Sequence, residues 1–120
     1  MIYIDEPGIV KWKAVQGSTF YKSFILRWKD THLPIDLTGL GAKLGGKRNI
    51  NQSALDIDLS TTGTTITLGG ATGQIIIIGP LATTRAWPPG DISIQFEFTE
   101  GTTAQTVLVG IVTVAREIPI

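Results

Sequence analysis

The 120-residue chain contains no cysteine, so its fold uses neither a disulfide nor a thiolate metal site, and the redox state of its compartment leaves no mark on it. It has one histidine, His32, too few imidazoles for an ordinary transition-metal site. It has no excess charge of either sign, with 10 Lys and Arg against 10 Asp and Glu. That balance argues against a dedicated nucleic-acid binder, which needs a basic surface. No run of about 20 apolar residues occurs, so no helix of the sequence is expected to span a membrane. The opening residues, Met1 to Gly8, carry neither a basic region nor an apolar stretch of signal length. The expectation is therefore synthesis in the cytoplasm. Amphipathic helical periodicity is also missing beyond about one turn.

What is present is β-branched. Apolar residues make up 42% of the chain and are dominated by Ile and Val, with many Thr and 14 Gly. Those are strand and turn residues. The clearest signal is residues 91–99. Ile92, Ile94, Phe96 and Phe98 alternate with Asp91, Ser93, Gln95, Glu97 and Thr99, giving one dry face and one wet one. Six residues, 100–105, are expected to connect this strand to a second at 106–114. There Val107, Val109 and Ile111 are set against Leu108, Val112 and Val114. The pair reads as a long antiparallel hairpin whose four inward side chains nucleate the core.

Earlier strands are expected at 9–15, 19–29, 40–45, 54–60 and 66–68. In the fourth, Leu55, Ile57 and Leu59 face inward and Asp56 and Asp58 outward. Pro34 should block any ladder in the loop after the second. Residues 74–79 hold four consecutive isoleucines, Ile75, Ile76, Ile77 and Ile78, so both faces of that strand must be covered. A loop or a subunit contact would do it. Residues 81–86 suit one helical turn, started by Pro80 and ended by Trp87-Pro88-Pro89-Gly90. Seven to nine strands with turns every 8–12 residues predict an all-β fold in one domain spanning 1–120, a two-sheet antiparallel β-sandwich, with a closed barrel second.

Several sets of residues invite a chemical reading. His32 lies between Asp30 and Pro34, beside Asp36, in a turn-rich loop, and reads as a solvated histidine rather than a triad member. Asp56 and Asp58 would stand about 7 Å apart on one strand face. That is a spacing for paired acid–base work or calcium, but more simply for solubility and edge protection. Gly69-Gly70-Ala71-Thr72-Gly73 has no helix behind it and so is no phosphate cradle. Lys11, Lys13, Arg27 and Lys29 with Tyr21 would make a basic patch, without the stacked aromatics that single strands require. No catalytic, cofactor or metal set emerges, and the chain reads as a non-enzyme. Trp87 reads either as a cap on the sandwich or as a contact residue, because tryptophan is favoured at hot spots and can stack on a sugar. Charge is unevenly spread. Residues 1–50 carry eight Lys and Arg against four acids, and residues 51–120 two Arg against six acids. That division fits solvated strand faces or two complementary surfaces in a head-to-tail assembly.

Two runs carry a family resemblance. One is Trp28-Lys29-Asp30 with Pro34-Ile35-Asp36-Leu37-Thr38-Gly39 and Ala42-Lys43-Leu44. The other is Ile66-Thr67-Leu68-Gly69-Gly70-Ala71-Thr72-Gly73-Gln74-Ile75. Together with the closing Val109-Gly110-Ile111-Val112-Thr113-Val114, they resemble small proteins encoded among the tail and baseplate genes of bacteriophages and prophages. The layout is similar to the N-terminal domain of phage baseplate upper proteins over roughly residues 15–115. The resemblance implies an immunoglobulin-like sandwich that docks other proteins in a virion tail. Its partners would be copies of itself and neighbouring tail proteins, and its contact residues Ile75, Ile76, Ile77, Ile78 and Trp87. The helical turn before the 91–99 strand also looks like the E–F corner of immunoglobulin domains, although their cysteine pair and corner tyrosine are absent. The motifs are turn and core residues, so they speak to fold more than to activity. A carbohydrate-binding module using Trp87 is the alternative.

Overall fold

Alternation of apolar and polar residues at period two produces eight strands among the described residues. The computed structural model describes residues 7–118; residues 1–6, on which most of the leader reading rests, lie outside them. In chain order the strands are β1 (Gly8–Val15), β2 (Phe20–Ile25), β3 (Gly41–Lys47), β4 (Ile57–Ser60), β5 (Ile66–Leu68), β6 (Gln74–Gly79), β7 (Gly90–Glu100) and β8 (Thr103–Ala115). They form a five-stranded sheet, β1-β8-β7-β3-β4, facing a three-stranded sheet, β2-β6-β5. With β2, β6 and β5 in the places of strands B, E and D, and β8, β7, β3 and β4 in those of G, F, C and C′, this is the immunoglobulin-like arrangement.

The core lies between the sheets. Ile92, Ile94, Phe96 and Phe98 of β7 are all buried, as the alternation predicts. They are joined by Leu44, Ile57 and Leu59 from the same sheet and by Phe20, Ile66, Ile75 and Ile77 from the other. Phe96 and Phe98 meet edge to face at 5.5 Å. The loop residues Ile35 and Leu37 close one end of the core at 4% and 1% exposure. Glycine makes room in β3, where a Cβ at Gly46 would press on Ile92, Ile94 and Ile57. Immunoglobulin domains place a tryptophan on strand C. Here the inner face of β3 carries Ala42, Leu44 and Gly46, and the buried tryptophan is Trp87, entering from the corner after the single helical turn α1 (Leu81–Thr84).

The structure corrects four details. The pairing is antiparallel throughout except that β1 runs parallel to β8, with Val10 opposite Gly110 and Trp12 opposite Val112. The chain reaches that position because the turn after β1 carries β2 into the other sheet, a long-range choice that leaves no local pattern. The β7–β8 connection is a two-residue turn, Glu100 pairing with Thr103, and not the six-residue loop expected. Gly101 at φ 60° supplies the positive-φ first position that such tight hairpins favour. The register then shifts: Phe96 opposes Leu108 but Glu97 opposes Thr106, leaving Val107 as an extra residue. This bulge turns Val107 inward, at 3% exposure, while Val109 and Ile111 face outward, so the three do not share a face. Finally, the strand expected over 19–29 ends at Ile25. Beyond it Leu26 donates to the Gly73 carbonyl, and Pro34 contributes only an isolated bridge to Arg27.

The parallel β1 contact depends on one missing side chain. A Cβ on Gly110 would overlap the Val10 carbonyl. Gly110→Ala should therefore push β1 off the sheet and lower stability by roughly 1–3 kcal/mol, the usual cost of overpacking. Urea unfolding with amide exchange along β1 measures both effects, and an unchanged midpoint would contradict them.

Candidate functional site

The residues that invite a chemical reading do not converge. His32 is exposed in the loop that closes back on Trp28, its backbone at φ 59°. Asp36 serves its own turn, accepting from the Thr38 amide at 3.0 Å and the Thr38 hydroxyl at 2.6 Å. Those bonds hold its carboxyl below the usual range. Asp56 does not act with Asp58. Its Oδ2 accepts from the Arg48 amide at 2.9 Å, Arg48 Nε at 3.3 Å and Gln52 Nε2 at 2.9 Å, closing the loop before β4. Partial burial alone would raise the Asp56 carboxyl, and these donors outweigh it and bring it below the ordinary value. Gly70–Thr72 forms a single 3₁₀ turn with no helix behind it. The basic patch is divided between sheets: Lys11 and Lys13 point out from β1 and Tyr21 from β2. Among the described residues, no three His, Cys, Asp or Glu cluster to hold a metal.

The isoleucine run splits by parity. Ile75 and Ile77 are fully buried, whereas Ile76 is half-buried and Ile78 is 39% exposed. Only the latter two offer a surface to a partner, so the contact role expected for Ile75 and Ile77 is corrected to a core role. Trp87 is corrected likewise: it is 2% exposed and packs edge-on to Phe20 at 5.5 Å. Neighbours lock the corner that carries it. Thr84 is fully buried, and its hydroxyl donates to the Ser18 carbonyl at 2.8 Å. Gln16 donates from Nε2 to the Trp87 carbonyl at 2.8 Å and accepts from the Glu117 amide at 3.1 Å. Glu117 in turn takes both Arg85 Nε and Nη2 at 3.0 Å. Hydrogen bonding to Arg85 holds the Glu117 carboxyl below its ordinary range.

With the interior filled, the two outer sheet faces remain, and they differ. The three-stranded face presents Tyr21, Ser23 and Ile25 of β2, Thr67 of β5, and Gln74, Ile76 and Ile78 of β6. None of these carries a charge, and Tyr21 and Ile25 are 55% and 44% exposed. The five-stranded face is striped. Lys11 and Lys13 stand on β1, Asp91 and Glu97 on β7, Lys43 and Lys47 on β3, and Asp58 on β4. The uneven charge of the sequence thus resolves into adjacent stripes rather than two opposed surfaces. Gly45 leaves a trough of about 450 Å³ on this face, walled by Lys43, Lys47, Ile50, Leu55, Gln95 and Glu97. Leu55, expected inside with Ile57, instead lies over Gly45, because Ala54 and Leu55 precede the strand. Sequence reasoning missed the trough; its signal was a glycine at an outward position of β3.

No family model matches the chain, and no curated protein does. Among solved structures, the chain is similar to one from a photo-crosslinking study of multimeric cell-adhesive interactions of VGSC beta subunits. The two share 11% identity at a TM-score of 0.40, over 96% of this chain and 98% of that one.

Two predictions follow from the corner. Trp87→Ala should destabilise the fold by about 3–5 kcal/mol, the cost of truncating a buried tryptophan, and not merely weaken a surface contact. Thermal or urea unfolding decides between the two. The Glu117 carboxyl is lower in the folded chain than unfolded. The Arg85 clamp should therefore be at full strength above about pH 4.3 and fade as pH falls through the lowered folded value. Amide protection at Glu117, taken relative to the intrinsic exchange rate at each pH, should fall in acid and, in Arg85→Ala, lose that dependence on pH.

Proposed function

We propose that the chain is a non-enzymatic assembly module of a bacteriophage or prophage tail or baseplate, made in the cytoplasm and carried into the virion by protein–protein contact. The observation that carries the contact reading is the uncharged outer face of the three-stranded sheet. Tyr21, Ile25, Ile76 and Ile78 lie together there, with only Ser23, Thr67 and Gln74 between them. A sheet face turned only to water ordinarily carries charged residues, as the opposite face does. Apolar side chains grouped without charge mark a surface that another protein covers. The tail assignment is supported by the resemblance of the two runs described above. Their residues form the end plug at Ile35 and Leu37 and the turns at Asp36 and Gly73. The carbohydrate-binding alternative loses the residue that motivated it, because Trp87 has no exposed ring to stack on a sugar.

The test is reconstitution with the products of the neighbouring tail genes. One of them should form a stable complex with the chain, and Tyr21→Lys with Ile78→Lys should weaken it at least tenfold while leaving the unfolding midpoint in place. Indifference of every neighbouring product to the chain, or of the complex to these lysines, would overturn the assignment.

A further inference from the structure

One tryptophan has no place in the interior. Trp28 is 42% exposed beyond the end of β2, whereas Trp87 is buried and Trp12 packs against Phe20 and Phe24. The chain there forms a small ribbon of its own. The bridge between Arg27 and Pro34 sets Trp28 opposite Leu33, and the Trp28 amide donates to the Leu33 carbonyl at 2.9 Å. Side chains opposite one another in an antiparallel pair share a face, so the indole stands beside Leu33, which is 62% exposed. Lys29 to His32 close the turn. His32 takes a left-handed backbone, at φ 59°, and its amide donates to the Trp28 carbonyl at 2.8 Å. Arg27 Nη1 donates to the His32 carbonyl at 3.1 Å, and the Leu33 amide donates to the Thr31 hydroxyl at 3.3 Å.

We propose that this ribbon is a carbohydrate-binding tip: the Trp28 ring stacks on one pyranose face, and Lys29, Asp30 and His32 hydrogen-bond its hydroxyls. The inference does not rest on the tail assignment, and it uses a different tryptophan from the buried Trp87. The first observation behind it is a free ring. Among the described residues no ring or cation stacks on Trp28, and its indole N–H has no hydrogen-bond partner. The C–H groups along one face of a pyranose carry partial positive charge and suit the negative face of an indole. The second is the rim. Asp30 accepts, Lys29 donates and His32 does both, all three are exposed, and none is engaged through its side chain among the described residues. Sugar hydroxyls both donate and accept, so a mixed rim within four residues of the ring matches them. The third is scale. The exposed indole and Leu33 offer on the order of 200 Å², about a quarter of what each partner buries in a standard protein interface. Nothing at the tip forms the surround that keeps water from a protein hot spot. An anionic membrane would attract Lys29 but repel Asp30 in the same turn. The tip is also well placed. β2 and β7 both begin beside Trp87 and run away from it, so the ribbon and the β7–β8 turn reach the same end of the sandwich. Variable immunoglobulin domains bind with the loops at that end, those after strands B and F.

The three tryptophans make the test direct, because each gives its own indole N–H signal in the nitrogen-labelled chain. Lactose, cellobiose, maltose and N,N′-diacetylchitobiose are titrated in turn, each to about 50 mM, with a dissociation constant on the order of 1 mM expected for one stacked ring. At least one of them should shift the Trp28 signal saturably and leave those of Trp12 and Trp87 in place. Trp28→Ala should abolish binding, read by saturation transfer to the sugar, and leave the urea midpoint unchanged, since the ring lies outside the core cluster. Asp30→Asn should weaken binding about tenfold, the effect of losing a charge-assisted hydrogen bond. Ile78→Lys should leave it unchanged, so that sugar binding and the tail complex are read apart. A Trp28 signal that ignores all four sugars, or sugar binding that survives Trp28→Ala, would overturn the proposal. A Trp28 signal that answers vesicles of anionic phospholipid and no sugar would overturn it in favour of a membrane contact.

Discussion

Two sheets held face to face by apolar contact alone set the terms for everything else in this molecule. No covalent bridge joins them, because the chain has no cysteine. Antibody domains reinforce the same contact with a disulfide between strands B and F. Here the closure rests on the inward side chains of β7 and on Ile75 and Ile77 opposite, each fully buried or nearly so. Burying one such aliphatic or aromatic side chain contributes about 1.5–3 kcal/mol. Close packing is what retains that gain, and it explains why glycine stands at Gly46 and Gly110, where any Cβ would drive a neighbour aside. Trp87 belongs to the same economy of space: it packs on Phe20 and lies over Gly79, whose Cβ it would crowd.

The flanks of the sandwich are closed by less regular means. Between β1 and β2 the sheets part, and Trp12, Phe20 and Phe24 bridge the gap with centroid distances of 6.0 and 6.2 Å. Lys22 points inward from β2, its ammonium 5.8 Å from both the Trp12 and the Phe20 ring centroids. Cation–π attraction accounts for a charge being tolerated there. An inward charge on an edge strand also hinders another strand from adding to that edge. A charge guards one margin of the three-stranded sheet while its face carries none, which favours contact through the face over growth through the edge.

The period-two pattern made the sandwich legible, and it did so best where one face is fully dry. Ile92, Ile94, Phe96 and Phe98 are the clearest case, and the helical turn from Pro80 to Trp87 was equally plain from its prolines. The pattern failed where position depends on distant partners. Nothing in Ile9 to Val15 says that this strand lies parallel to β8, and nothing local distinguishes a bulge at Val107 from continued alternation. Ile35 and Leu37 alternate with Asp36 and Thr38, so their burial was readable, but the flanking Pro34 and Gly39 argued for a loop. The isoleucine run was expected to need cover on both sides. Only the fold shows that the core covers Ile75 and Ile77, while Ile76 is half-buried and Ile78 exposed. Trp87 misled because a tryptophan among prolines has the composition of a surface loop, and its depth is set by Phe20, which is 67 residues earlier in the chain.

The two outer faces suit different kinds of contact for a physical reason. A face whose charges alternate in stripes pairs each charge with an opposite neighbour on the next strand and keeps its hydration, as Lys43 beside Glu97 does. A face with no charge has no such pairing and is selective only through shape, so it suits a partner that supplies its own complementary relief. The core beneath lets a contact form on that face without disturbing the sheets: every side chain from Ile92 to Phe98 that faces inward is already buried.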